Sequence, residues 1–200
     1  WKANVDYVTD LKIPHIACYA LTVEPNTALQ KMIALNKKTN VDTEQQSRQF
    51  LLLMQWMKDA GYEHYEISNF AKPGYRSRHN SSYWQGKKYF GIGPSAHSYD
   101  GNSRKWNVAN NSLYIQSIKK NIIPYEEEIL TETQKLNEFV MTSLRTMEGL
   151  DLKIVEENFS KAERKRIENE IEKYIGQKKI VLHEEKIILT DEGKLFADGI

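Results

Sequence analysis

Residues Tyr62 to Gly101 read YEHYEISNFAKPGYRSRHNSSYWQGKKYFGIGPSAHSYDG. The stretch opens as a strand over Tyr62–Ile67 and then loses any period. Pro73, Gly74, Gly86, Gly91, Gly93, Pro94 and Gly101 punctuate it, and from Asn69 to Asn111 regular structure is hard to find. A long irregular segment inside a compact domain is either functional or wrongly assigned. Between Tyr62 and Trp106 stand ten of the chain's 21 aromatic residues. The same residues carry seven Lys and Arg against three acids, a local charge of +4, while the rest of the chain sums to −3. Rings that stack and cations that meet carboxylates suit a flat anionic ligand. The same composition also describes core aromatics beside solvated surface charges.

Working outward, the first unit reads helix, strand, helix, helix, strand. Trp1, Val5, Val8 and Leu11 mark one helix face, which Pro14 ends. His15–Leu21 has the near-continuous apolar character of a buried parallel strand. A short helix near Thr27–Leu35 and a longer one over Thr43–Ala60 follow, with Gly61 suited to the C′ position. Strand, helix, strand predicts a right-handed βαβ crossover. Beyond Pro124 and the acidic run Glu126–Glu128, Thr131 and Gln134 form a capping-box pattern. Asp151 caps a second helix, Ser160 and Glu163 open a third, and Ile180–Leu182 with Ile187–Leu189 make a hairpin. Three helices and a hairpin are the winged-helix order. The expected division is residues 1–125 and 126–200.

Composition excludes several chemistries. The chain has 200 residues, room for about one or two domains. Its one cysteine, Cys18, excludes an internal disulfide, a Cys-rich zinc site and a self-contained four-Cys iron–sulfur cluster. Lys plus Arg is 28 and Asp plus Glu is 27, so the chain has no net field to favour nucleic acid. No apolar run approaches the roughly 20 residues of a membrane span, which leaves room only for peripheral membrane contact. The N-terminus lacks a signal peptide's apolar core, so a cytoplasmic location is expected. Gly91 to Ala96 superficially matches a dinucleotide fingerprint, but Pro94 supplies no phosphate-binding N–H and no acidic residue follows in the right place. No serine sits in a G-x-S-x-G elbow.

Three of the five histidines fall in the aromatic stretch: His64, His79 and His97. A lone histidine is more often structural than a ligand. His79 is the better candidate, because polar turn residues flank it, and neutral imidazole is a good axial ligand for haem iron. His97 follows Gly91 and Gly93, which permit close backbone approach.

Tyr62–Gly101, together with HIACYALTVEPNT over His15–Thr27, resembles the radical S-adenosylmethionine family that contains oxygen-independent coproporphyrinogen III oxidase and the haem chaperones of the HemW type. The resemblance covers essentially the whole chain. His79–Trp84, HNSSYW, is similar to the H-N-x-x-Y-W element that the chaperone branch uses for haem; Ser81 and Ser82 differ from its arginine-containing forms.

The resemblance implies an α/β fold: the last part of a partial (β/α) barrel, then a small, mainly helical C-terminal domain with a winged-helix-like hairpin. It implies haem binding by His79, Asn80, Tyr83 and Trp84, with His79 on the iron. Ala20, Gly91, Gly93 and His97 are expected near S-adenosylmethionine. The family's CxxxCxC motif for a [4Fe-4S] cluster is expected before Trp1, so no catalytic residue is expected here and the fragment alone should be inactive, although the family is one of oxidoreductases. The implied function is a haem chaperone that passes haem to client proteins. The alternative is a coproporphyrinogen III oxidase acting through a 5′-deoxyadenosyl radical. A third reading is a nucleic-acid module, using Lys161, Arg164, Lys165 and Arg166; the acids sharing that helix weigh against it.

Overall fold

Helix starts follow the capping chemistry of the sequence. In the computed structural model, which describes residues 1–199, α1 spans Lys2–Asp10 and β1 spans His15–Ala17. Thr27 caps α2 (Ala28–Ala34), and Asp42 caps α3 (Thr43–Asp59) by accepting from the Gln45 N–H. Gly61 follows α3 with φ +74°, a conformation glycine adopts without cost. Then come β2 (Glu63–Glu66), β3 (Asn69–Ala71), α4 (Arg78–Trp84), β4 (His97–Tyr99), β5 (Ser103–Asn107), α5 (Asn111–Ile118) and β6 (Tyr125–Ile129). The remaining elements are α6 (Glu132–Leu144), β7 (Leu150–Asp151), α7 (Leu152–Asn158), α8 (Lys161–Gly176), β8 (Ile180–His183), β9 (Lys186–Leu189) and α9 (Asp191–Lys194).

The first sheet keeps the strand–helix–strand connection but sets a third strand between its two parallel members. Its order is β1-β3-β2, and β3 runs antiparallel to both neighbours. β1 and β2 share a direction but never pair, because the chain turns back at Ile67–Ser68 and lays Asn69–Ala71 between them. Every residue of β3 is buried, and Phe70, fully inaccessible, packs with Val5, Leu53, Met54, Met57 and Tyr62. The buried strand expected over His15–Leu21 is also shorter. Beyond the Cys18 N–H bond to the Ser68 carbonyl, Tyr19 and Leu21 are exposed.

The stretch that looked irregular contains α4, β4 and β5. Asp100 Oδ1 accepts from the Asn102 and Ser103 N–H groups at 2.8 and 2.7 Å, and Gly101, at φ +95°, completes the turn between β4 and β5. β5 then pairs with β6 in a register that sets Arg104 opposite Glu128 and Lys105 opposite Glu127. Lys105 pairs with Glu127 across this register, while Arg104 reaches Glu138 of α6. The expected division after residue 125 falls inside β6, whose pairing runs to Ile129.

From Thr131 onward the sequence reading and the structure agree closely. Thr131 and Gln134 complete a reciprocal capping box; Ser160 accepts from the Glu163 N–H. β7 joins the hairpin in the order β7-β9-β8 over a core of Leu136, Leu150, Leu152, Val155, Ile180 and Ile187. The C-terminal unit is stitched to the first sheet: the Ile67 N–H donates to the Arg145 carbonyl at 3.2 Å, and the Met147 N–H to the Tyr65 carbonyl at 3.1 Å. At Gly149, φ is +71° and an added Cβ would lie 2.3 Å from the Ile187 carbonyl oxygen. Gly149→Ala is therefore expected to lower stability by at least about 1 kcal/mol, read as a lower urea midpoint at unchanged slope.

Candidate functional site

α4 carries the HNSSYW residues. Ser77 caps it, its Oγ accepting from the Asn80 N–H at 3.2 Å, and Gly86 ends the turn beyond it at φ +61°. His79 and Tyr83, one turn apart, are both exposed, with ring centroids 5.0 Å apart at 80°. Tyr83 meets Tyr89 at 4.8 Å, and Tyr89 lies 6.0 Å from Tyr99, so four rings form a row from α4 to β4. Burial raises the pKa of the Tyr89 phenol, keeping it protonated. Tyr83, Tyr89 and Tyr99, with Trp84, Phe139 and Phe159, wall a cleft of about 660 Å³, whose cations are Lys87, Arg104 and Lys135.

Tyr83 and Trp84 also line a second cavity of about 380 Å³, together with Asn80, Tyr19, Glu66, Asn69 and Arg145. Glu66 and Asn69 are buried, and the Asn69 amide donates to Glu66. The Arg145 guanidinium lies 5.6 Å from the Trp84 ring and pairs with Asp198. Asn69 Oδ1 and Arg145 Nε find no partner among the described residues, as expected of atoms that meet water or a ligand. Sequence reading missed this cluster. Arg145 comes to β2 through the pairing of backbone after α6, which nothing local announces.

The other candidates separate. Ala20 is exposed beside a cavity of about 170 Å³ with Cys18, Gln46 and Phe50. His97 lines a different cavity of about 400 Å³ with Trp106, Tyr125 and Glu126. Gly91 is required internally: a Cβ there would lie 2.2 Å from the His97 carbonyl oxygen. The carbonyl of Gly93 accepts from Asn107 Nδ2 at 2.9 Å. The structure thus does not bring Ala20 together with Gly91, Gly93 and His97. Among the described residues no cluster of three or more His, Cys, Asp or Glu could hold a metal, and no helix is long and apolar enough to cross a membrane.

Several cations of the aromatic stretch are already engaged. Arg76 pairs with Glu63 at 2.8 Å and Glu148 at 2.6 Å, Arg104 with Glu138 at 2.6 Å, and Lys105 with Glu127 at 3.4 Å. On α8, Arg164 is shared by Glu156, Glu168 and Glu185, while Lys161, Lys165 and Arg166 each face a glutamate. That helix presents no continuous basic stripe.

Comparison with known proteins agrees with this architecture. Residues 130–196 match the HemN C-terminal domain. The chain is 30% identical over 198 residues to the haem chaperone HemW of Mycobacterium tuberculosis, covering 98% of this chain and 49% of that protein. It is 30% identical over 200 residues to HemW of Bacillus subtilis, covering 98% and 52%. The solved structure of coproporphyrinogen III oxidase (HemN) from Escherichia coli, a radical SAM enzyme, superposes with a TM-score of 0.66 at 15% identity, over 98% of this chain and 49% of that one. At that identity the likeness speaks for the mixed α/β fold alone. The chain spans about half the length of the curated relatives it matches. Together the matches support a C-terminal HemN/HemW-like portion.

Proposed function

We propose that this chain is part of a haem chaperone, and that α4 with the cleft beside it is where haem is held. The supporting observation is the exposed imidazole of His79, edge-on to Tyr83, next to an aromatic cleft of about 660 Å³. That volume lies within the roughly 300–1,000 Å³ of ordinary ligand sites. No hydrogen-bond partner among the described residues competes for the His79 ring, so a ring nitrogen is available to iron. Bound haem would supply an iron centre needing an axial ligand. His79 is assigned that role. Tyr83 and Tyr89 offer flat apolar area, and Lys87 offers a charge for a propionate. Trp84 walls the same cleft, while Asn80 lines the smaller cavity beside Arg145.

S-adenosylmethionine and a [4Fe-4S] cluster belong to the family reading but do not fit residues assembled here. Ala20 and His97 line separate cavities, and one cysteine cannot supply a cluster. Delivery of haem to a client protein, and a cytoplasmic setting, complete the proposal.

Titrating the intact protein with ferric haem, alongside incubation with coproporphyrinogen III, tests this reading. The expected result is a stable haem complex with no protoporphyrinogen. Protoporphyrinogen formation would overturn it in favour of an oxidase.

A further inference from the structure

The aromatic cleft beside α4 is also walled by the C-terminal unit. On α6, Glu132, Lys135, Glu138, Phe139 and Thr142 recur at the spacing of one helix face, and all five line the cleft. Phe159, just beyond α7, joins them, its ring 6.0 Å from that of Phe139. Both phenylalanines also pack against the core of the C-terminal unit, which holds them in place. Tyr83, Tyr89 and Tyr99 line the same cleft from α4 and β4. Rings from both halves of the chain therefore face one space, as a flat apolar body requires.

Three cations and two acids line this cleft: Lys87, Arg104 and Lys135, with Glu132 and Glu138. They are not equally available to a ligand. Arg104 is bound to Glu138 at 2.6 Å, and the Glu138 side chain is only 23% exposed, so this charge-assisted pair stays closed and ties β5 to α6. Lys135 Nζ lies 2.9 Å from Glu132 and 3.1 Å from Asn102 Oδ1. The Glu132 side chain is 77% exposed, so water competes for it and the pair holds Lys135 weakly. Lys87, on the turn after α4, has no acidic partner among the described residues while lining the cleft. Two ammonium groups are thus open to a ligand, and one carboxylate, Glu138, is fixed against any further anion.

A flat ligand with two carboxylates can give one to each lysine. A ligand with four brings two more into a cleft whose guanidinium is committed and whose acids repel them. Ferric haem carries two propionates and coproporphyrin III carries four, on macrocycles of the same size. Charge therefore separates two ligands that the aromatic walls alone would accept alike.

We infer that α6 and Phe159 form a second wall of the haem cleft, and that Lys135 and Glu138 set its ligand class: a flat porphyrin bearing two carboxylates rather than four. This rests on the haem reading of α4 and deepens it, because it assigns the selection among porphyrins to named residues of the C-terminal unit. Lys135 takes one propionate. Glu138 turns away surplus carboxylates and keeps Arg104 occupied.

The test measures the affinity of the intact protein for ferric haem, ferric haem dimethyl ester and ferric coproporphyrin III. It is repeated in Lys135→Met, Glu138→Gln and His79→Ala, with a thermal melt on each. The unaltered chain is expected to bind haem at least about tenfold more tightly than either other ligand. Lys135→Met should weaken haem binding about tenfold and leave the ester, which has no free carboxylate, unchanged. Glu138→Gln keeps an oxygen for Arg104 but loses the charge, so it should tighten coproporphyrin binding about tenfold and haem binding by less. Equal affinity of the unaltered chain for haem and its ester overturns the inference, and that measurement needs no variant to fold. Native haem affinity in Lys135→Met, or unchanged coproporphyrin affinity in Glu138→Gln, overturns it too. If haem binding is then weakened in His79→Ala, the haem reading stands without the inference. Should His79→Ala also bind haem natively, the haem reading itself has failed.

Discussion

Haem affinity of the intact protein should fall at least about tenfold in His79→Ala, about 1.4 kcal/mol of binding free energy or more, with a displaced Soret band. The expectation rests on the ring being solvent-exposed and meeting Tyr83 edge-on, with ring centroids 5.0 Å apart. Loss of that contact costs on the order of 0.5–1.5 kcal/mol, too little to unfold the chain, so far-UV dichroism should not change. His97→Ala is the control. His97 lines a cavity that contains neither Tyr83 nor Trp84, so its removal should leave haem binding intact. Native affinity and spectrum in His79→Ala would remove the imidazole from the site. Loss of folding would show that the ring matters to α4 itself.

What was legible in the sequence was local. Thr27, Asp42, Thr131, Asp151, Ser160 and Thr190 each sit where a side-chain oxygen can take an N–H of the following turn, and each does so. Gly61 and the hairpin ending at Leu189 were legible for the same reason. Strand pairing was not. Asn69–Ala71 is three residues without a period of its own, and it becomes the middle strand only because Phe70 fills the space over α3. Arg104 and Lys105 read as free cations until the fold sets Glu138 and Glu127 beside them, more than 20 positions away in sequence. The motif itself was legible as residue types, but not the surroundings of each residue. Only the helix shows His79 exposed and Asn80 set beside Glu66, Asn69 and Arg145.

The second large effect belongs to His64, which the aromatic stretch also contains but which the structure removes from the ligand site. Its ring stacks on Phe70 at 4.2 Å and 15° and meets Phe50 edge-on at 5.9 Å. Nε2 lies 3.0 Å from the Ile67 carbonyl, to which it donates. Nδ1 lies 3.3 Å from Lys194 Nζ, which can only donate to it. The ring is thus held neutral. Burial first, then the Lys194 charge, lower its pKa from 6.5 to about 4, against smaller opposing effects of the Ile67 carbonyl and Asp191. Asp191 bonds Lys194 at 2.8 Å; burial pushes its carboxyl up, but Lys194 outweighs this and leaves the pKa below its ordinary value. Both groups bind protons more readily when unfolded, so both give stability that disappears as pH falls. For His64 that stability is complete above about pH 6.5 and is lost progressively down to about pH 4, a loss of about 3 kcal/mol. Phenylalanine fits between the two rings and does not titrate. Urea unfolding of the protein and of His64→Phe at pH 7.5 and pH 4 should therefore show the native chain losing about 3 kcal/mol more than the variant across that interval. Lys194→Met should flatten the dependence in the same direction by letting the imidazole ionise in place. An identical pH dependence in His64→Phe would mean that the acid sensitivity of this junction between the first sheet and α9 comes from other groups.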